Sequence, residues 1–353
     1  MKKLCLLFVL VVFIIGCKDK TLQEIDVSSI RQVASVNEYI TDICYWRGRV
    51  WLTPYLHYSS GKLYKYDISS NKLEVIPVSG KYESFYRVWE GIDGALNFTT
   101  EQPPTWFRTD DGRNIRKMRK FASHGWGVLG NRTADGRCIM GWSYLRTRTN
   151  MYDQIGTNLI GIPTVVGFDG VNRIVWFGER WRRTWYIGTS PTNAYKQPNT
   201  GNVYKLNIDG TWTPVVGYDV KQNVNDQFAM PIGAAICGIV WEDCLFIGTW
   251  NPQTIVKLTE DNDCTIRTFK PYGEISKFWT DSDGHLFCGG YEDGFAYVYQ
   301  LTDVEDDEWE VVVRIPTNGA NRKWGTKGVC ISNDTMYVVV RSGDKSLLYR
   351  INY

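Results

Sequence analysis

The stretch "CLFIGTW", residues 244–250, is nearly written again at "TWYIGTS" (184–190) and "HLFCGGY" (285–291). Each run is rich in aromatic and β-branched residues, carries a glycine near its end, and is apolar on both faces of the strand it would form. Such a strand needs cover on both sides, so the repetition points to sheets stacked against copies of themselves. Aligned along the chain, the motif reads "VWLTPY" (50–55), "LNFTTE" (96–101), "IMGWS" (139–143), "YIGTS" (186–190), "FIGTW" (246–250), "FCGGY" (287–291) and "YVVVR" (337–341). With Thr53, Thr99, Gly141, Gly188, Gly248, Gly289 and Val339 as equivalents, the spacings are 46, 42, 47, 60, 41 and 50 residues. Units of this length hold four short strands. The expected fold is therefore all-β, a seven-bladed β-propeller of four-stranded antiparallel blades. Six or eight blades stay open as alternatives, because residues 145–170 parse least clearly.

Residues 274–315 spell out one whole unit: "ISKFWT", a turn at Asp281-Ser282-Asp283-Gly284, then "HLFCGG", "FAYVYQL" and "EWEVVVRI". The spelling D-x-x-G-x-[LI]-[WF], carried by Asp281, Gly284, Leu286 and Phe287, resembles the repeat of two-component-regulator-type bacterial propellers. Asp93-Gly94 and Asp135-Gly136 match it loosely. After "YVVVR" only "KSLLYRINY" (345–353) remains, so the seventh unit lacks a fourth strand, while "LQEIDVSSIRQVAS" (22–35) has no unit of its own. The N-terminal strand is expected to complete the last blade and close the ring, which removes an open sheet edge.

The N-terminus supplies an address. Lys2 and Lys3 precede an apolar run, Leu4 to Ile15, that is short for a membrane span and reads as a secretory signal. The ending Ile14-Ile15-Gly16-Cys17 resembles the lipobox of bacterial lipoproteins, which implies lipidation at Cys17. The expected organisation is a signal peptide over residues 1–16, a lipidated cysteine and short tether over 17–21, and a single propeller domain over 22–353. Its expected location is a bacterial membrane, probed from the periplasm or the cell surface, with the outer membrane favoured, and the lipid bilayer itself a partner through the acylated end.

A net charge of +2 with 22% charged residues argues against a nucleic-acid partner. The basic run "RNIRKMRK" (113–120) reads as an edge strand defended against pairing. Setting aside Cys5 and Cys17, seven cysteines remain, an odd number without a C-x-x-C pair. They read as buried thiols, with one or two disulfides or a metal site as alternatives. The acidic "DVEDDE" (303–308) lacks the glycine and spacing of a calcium loop and reads as a solvated connection. Neither a metal nor a cofactor is expected.

Function is sought where the repeat varies. The residues just past each motif are Tyr55, Glu101, Ser143, Ser190, Trp250, Tyr291 and Arg341, and they differ while the strand before them does not. The expected ligand-binding residues are Trp250, Asn251, Tyr291, Tyr55 and Arg341, with Trp126 and Trp324 at first-strand starts. Trp46, Trp89, Trp176, Trp241 and Trp279 are assigned to the core between blades. The chain has three histidines and no H-E-x-x-H, G-x-S-x-G or phosphate loop. Glu101 and His124 are the candidate catalytic groups, should there be catalysis. The leading expectation is a glycan or envelope-protein binder working through one face of the ring. A carbohydrate-active hydrolase or lyase is the alternative, and a structural subunit of an envelope complex the third reading.

Overall fold

The computed structural model describes residues 29–123, 126–133, 137–144, 148–165, 173–191, 201–217, 232–260, 263–270, 273–292, 294–317, 326–332 and 335–352. Among them every named element is a strand: β1 (Ile30–Val36), β2 (Ile40–Trp46), β3 (Arg49–Asp67), β4 (Lys72–Glu90), β5 (Leu96–Glu101), β6 (Thr105–Thr109), β7 (Arg116–Lys120), β8 (Trp126–Arg132), β9 (Cys138–Tyr144), β10 (Arg148–Ile155), β11 (Asn158–Val165), β12 (Arg173–Trp181) and β13 (Thr184–Pro191). The chain continues through β14 (Asn202–Leu206), β15 (Trp212–Gly217), β16 (Ala234–Trp241), β17 (Cys244–Trp250), β18 (Gln253–Leu258), β19 (Cys264–Lys270), β20 (Glu274–Thr280), β21 (Leu286–Glu292), β22 (Phe295–Asp303), β23 (Glu308–Pro316), β24 (Thr326–Ser332), β25 (Thr335–Ser342) and β26 (Lys345–Asn352). Consecutive strands pair antiparallel into meanders: β8 to β11 form one sheet, β12 to β15 another, and β16 to β19 join β20 to β23 through a single pair, Trp250↔Glu274.

The turns follow from residue choice. Arg47-Gly48, Arg182-Arg183 and Glu242-Asp243 each hold two successive positive φ angles, the geometry whose twist matches the strands of a tight hairpin. At the longer turn before β21, the Asp281 carboxylate accepts from the backbone N–H of Asp283 at 3.0 Å and of His285 at 2.8 Å. The imidazole of His285 lies 2.7 Å from the same carboxylate, which ties this histidine to the turn. Strands β3 and β4, 19 residues each, bend instead of stopping. Positive φ at His57 and Tyr58 turns β3 so that its first half pairs with β2 and its second with β4.

The core explains why the inner strands are apolar on both faces. Seven hydrophobic clusters occur among the described residues; six join successive meanders, and one, around Trp51 and Phe98, lies within the six-stranded sheet β2 to β7. In β17, Leu245 and Ile247 pack toward Val203 and Tyr186, while Phe246 between them packs toward Phe278 and Cys288. A fully buried side chain of this kind contributes roughly 1.5–3 kcal/mol. The innermost strands touch in succession: β2 with β4, β4 with β8, β8 with β12, β12 with β16, β16 with β20, β20 with β24, and β24 with β2. Trp46 and Trp241, each ending such a strand, donate their indole N–H to Gly94 O at 3.0 Å and Gly284 O at 2.9 Å in the turn of the next sheet. Strand β1 pairs with β26 from Ile30↔Ile351 to Val36↔Ser346, and Ile40 N–H donates to Ser346 Oγ at 3.0 Å.

Two sequence expectations need amending. The segment 303–308 is docked: Lys257 Nζ reaches Val304 O, Arg267 donates to Asp307 O at 2.5 Å, and buried Asp307 accepts from Trp309 Nε1 at 2.9 Å. Neighbouring cations let an acidic loop pack where water alone was expected. Trp176 also leaves the core, as described below. The seven cysteines are free thiols, and burial pushes those of Cys44, Cys237 and Cys264 up to about 12, away from thiolate chemistry.

Stacking leaves no room at the motif glycines. A Cβ on Gly188 would lie 1.9 Å from Phe177 Cε1 and 2.6 Å from Ala235 O, whereas one on Gly161 meets nothing within 4 Å. Gly188→Ala is expected to lower unfolding stability by roughly 1–3 kcal/mol, with Gly161→Ala near neutral. Denaturant unfolding of the two variants checks this, and equal stabilities would refute close sheet stacking at the motif.

Candidate functional site

The register of the hairpins places the site. In seven of them the first strand carries one extra residue against its partner. The residues just after this bulge, Asp42, Arg87, Leu129, Phe177, Cys237, Lys277 and Gly328, pair with Thr53, Thr99, Gly141, Gly188, Gly248, Gly289 and Val339. These partners are the seven positions equated from the sequence. A bulge bends its strand and re-aims the extra side chain, and here it does so at the same level of every innermost strand.

The end of β5 gathers a polar network. Glu101 pairs with Ser84 across the strands, and Ser84 Oγ donates to Glu101 Oε2 at 2.8 Å. Tyr55 Oη donates to Glu83 Oε1 at 2.8 Å, Tyr58 Oη to Glu83 Oε2 at 3.3 Å, and Tyr58 also meets Gln102 Oε1. Burial pushes the Glu101 carboxyl up to about 8; the Glu83 charge adds to the rise, while the Ser84 hydrogen bond and Arg87 oppose it. At neutral pH Glu101 is a protonated carboxyl beside the acid Glu83. Burial, together with that same pair of carboxyls, holds the Tyr55 phenol well above its usual value, so Tyr55 remains a donor. The imidazole of His57 contacts the Tyr55 ring edge-on, with centroids 4.5 Å apart.

Bulged residues continue the surface inward. Tyr86 on β4 and Trp176 on β12 come from sheets that have β8 between them, yet their rings meet with centroids 6.5 Å apart. Trp176 Nε1 donates to Ser190 Oγ at 2.6 Å, which draws the indole out of the core assigned to it and toward a motif-tip residue. The Arg87 guanidinium lies over the Tyr86 ring at 5.0 Å. Opposite in charge and deeply placed, Asp42 accepts from Lys277 Nζ at 2.6 Å, and Lys277 also donates to Ile43 O at 2.9 Å. Thr41, the extra residue of β2, donates to Phe85 O at 2.5 Å and so stitches β2 to β4.

The structure sorts the residues singled out from the sequence into groups. Tyr55 and Glu101 join one network through Glu83. Trp250, Asn251 and Tyr291 form a second group: Trp250 and Tyr291 both pair with Glu274, and Asn251 N–H donates to Gly273 O at 3.0 Å. Trp250 is 9% exposed and Tyr291 2%, so these two rings serve packing rather than an open stacking surface. Gly233 and Gly273 lie against the backbone of these two residues, at Trp250 O and Tyr291 O. Arg341 stands apart, its guanidinium 3.5 Å over the Tyr39 ring. Trp126 begins β8, but its side chain lies outside the described residues, as do Trp324, His124 and Cys17. Sequence reasoning named Glu83 as an acid that could join Glu101, but missed Tyr58, Tyr86, Arg87 and the half-buried place of Trp176. The available signal was position: Tyr86 and Trp176 each lie one residue before the partner of an aligned motif residue.

No protein-family model and no curated protein sequence matches the chain. Solved structures do resemble it. Virginiamycin B lyase from Staphylococcus aureus superposes with a TM-score of 0.63 at 11% identity, covering 92% of this chain and 98% of that one. The extracellular domain of a hybrid two-component system from B. thetaiotaomicron gives 0.56 at 13% identity, over 90% of this chain and 38% of that one. The polysaccharide lyase Uly1 gives 0.54 at 12% identity, over 88% and 89%. Identities this low speak to architecture alone, and that architecture is the β-propeller: this chain has a repeat-built, all-β fold of the propeller type.

Proposed function

We propose that the chain is an extracytoplasmic, membrane-anchored propeller of seven four-stranded blades, closed by β1 in the last blade, that binds a glycan where Tyr55, Tyr58, Glu83 and Glu101 meet. Seven bulged hairpins, seven hydrophobic clusters and the β1–β26 pairing support the blade count and the closure. The apolar N-terminal run ending at Gly16-Cys17 supports the anchor.

One observation carries the binding reading: an exposed tyrosine and a second, partly buried one clamp the two oxygens of Glu83 next to the carboxyl of Glu101, which accepts from Ser84. Tyr58 is 53% exposed and offers a ring face, Glu83 accepts, and protonated Glu101 can both donate and accept. Adjacent sugar hydroxyls need this mixture of acceptors, donors and an aromatic face. A second reading, a carbohydrate-active lyase or hydrolase, is favoured by the contact of Tyr55 with His57 beside Glu101, which places three proton-transfer groups together. Structural neighbours named as lyases agree with that alternative, and the sensor domain agrees with binding alone.

Tyr58→Ala and Glu83→Gln are each expected to weaken retention in affinity electrophoresis about tenfold across a polysaccharide panel. Unchanged retention in both variants rejects the site, and release of product from any retained polysaccharide favours the second reading. Glu101 makes a prediction of opposite kind. Its folded pKa of about 8 stands above the 4.5 of an unperturbed group, so between these values the folded state holds a proton that the unfolded chain has lost. Stability therefore falls as pH rises from about 4.5 to 8, by at most about 1.4 kcal/mol per pH unit. Glu101→Gln flattens that slope in urea unfolding at pH 5 to 8, and identical slopes would show Glu101 ionised. Finally, Cys17→Ser is expected to abolish incorporation of labelled palmitate and move the protein from the membrane fraction to the soluble one; retained label contradicts the anchor.

A further inference from the structure

Arg87 is a cation that the site leaves without an acid. At the equivalent register position of another sheet, Lys277 is neutralised by Asp42 at 2.6 Å, but Arg87 makes no ion pair among the described residues. Its charge acts on groups of two different sheets, pulling down the pKa of both Glu101 on β5 and Cys237 on β16 against the burial that raises them. Two rings stand beside the guanidinium: Tyr86, under it at 5.0 Å, and Trp176, inclined 40° to Tyr86 at 6.5 Å. Glu83 has both oxygens engaged by Tyr55 and Tyr58, and the Glu101 carboxyl accepts from Ser84 Oγ.

An unpaired guanidinium beside two rings is matched by a ligand with an oxyanion attached to a ring-shaped, partly apolar body. A guanidinium fork takes such an anion through two parallel hydrogen bonds, and the aromatic walls take the C–H face of the ring. A neutral sugar would leave the charge uncompensated when water is displaced. Resting on the glycan-binding reading above, we infer that Arg87 recognises the anionic group of an acidic sugar unit, a carboxylate or a sulfate, with Tyr86 and Trp176 holding the ring.

The test compares tetragalacturonate, its full methyl ester and a sulfated neutral tetrasaccharide by titration calorimetry and tryptophan fluorescence. The wild-type chain is expected to bind one of the two anionic oligomers at least tenfold more tightly than the ester, and which one it prefers identifies the group. Arg87→Met removes that preference, Arg87→Lys retains part of it, and Tyr86→Leu weakens anionic and neutral oligomers alike. The ester comparison needs no variant, so it decides even if a substitution impairs folding, which thermal melting monitors. Equal binding of acid, sulfate and ester, or an Arg87→Met chain that keeps the preference, overturns the inference while leaving glycan binding in place. Failure of every oligosaccharide and every polysaccharide to bind removes the underlying reading as well.

Discussion

Close stacking of one sheet on the next is the constraint from which the other features follow. A motif strand whose residues are buried on both faces can approach its neighbours only if the position at the tightest crossing is small, and Gly188, with Phe177 and Ala235 against it, shows how little space is left. The bulge opposite that position answers the same demand. It inserts a residue into the first strand where the second is slim, increases the local twist, and so lets each sheet turn against the next without opening a gap. The extra residue must go somewhere, and the core on both sides is filled. In β16 that residue, Ile236, packs against the core, while in β2, β4, β12 and β20 it makes contacts of its own.

That single displacement converts a packing device into a chemical surface. Thr41, Tyr86, Trp176 and Ser276 are extra residues of this kind, and each one finds a role that a residue in regular register could not fill: a bond to the neighbouring strand, a ring contact across a sheet, a bond to a motif tip, a bond to Gly289 O at 3.3 Å. Charge is placed one residue further on, at Asp42, Arg87 and Lys277. Asp42 is 2% exposed, and its two oxygens accept from Lys277, from Ile43 N–H at 2.9 Å and from Val88 N–H at 3.1 Å. Removing the lysine would strand a buried charge, an outcome far costlier than the pair is worth. The pair therefore fixes how β2, β4 and β20 sit relative to one another.

Much of this was legible in the sequence, and the reason is periodicity. The seven residues equated from the motif are the seven that share one register position, because the demand for a small or β-branched residue at a crowded crossing is written directly into residue type. The aspartate and glycine turn before β21 was legible for the same local reason. What the sequence concealed was direction. A bulge adds no recognisable residue, so Trp176, which alternates like a core residue, was assigned to the core, and Tyr86 and Arg87 attracted no notice. Trp250 and Tyr291 are buried where the sequence suggested an open face. Their place just past the motif is the same as that of Tyr55 and Glu101, yet they are 9% and 2% exposed, and nothing within "FIGTW" or "FCGGY" announces what will cover them.

Equivalent positions thus divide into closed and open ones, and the division has an electrostatic counterpart. Glu101 and Trp250 occupy the same step of the repeat, each followed by a residue of positive φ, and in both the preceding threonine hydroxyl caps a carbonyl, Thr100 to Pro103 O at 2.8 Å and Thr249 to Pro252 O at 2.7 Å. The backbone is the same, so the difference lies in what each side chain tolerates. An indole loses nothing by being covered. A carboxyl does, and it answers by keeping its proton, which is why burial and the neighbouring Glu83 both raise Glu101. A scaffold that repeats its strands while varying the residue at this step can therefore hold a dry packing contact in one sheet and a proton-bearing, hydrogen-bonding group in another, without changing the fold that positions either.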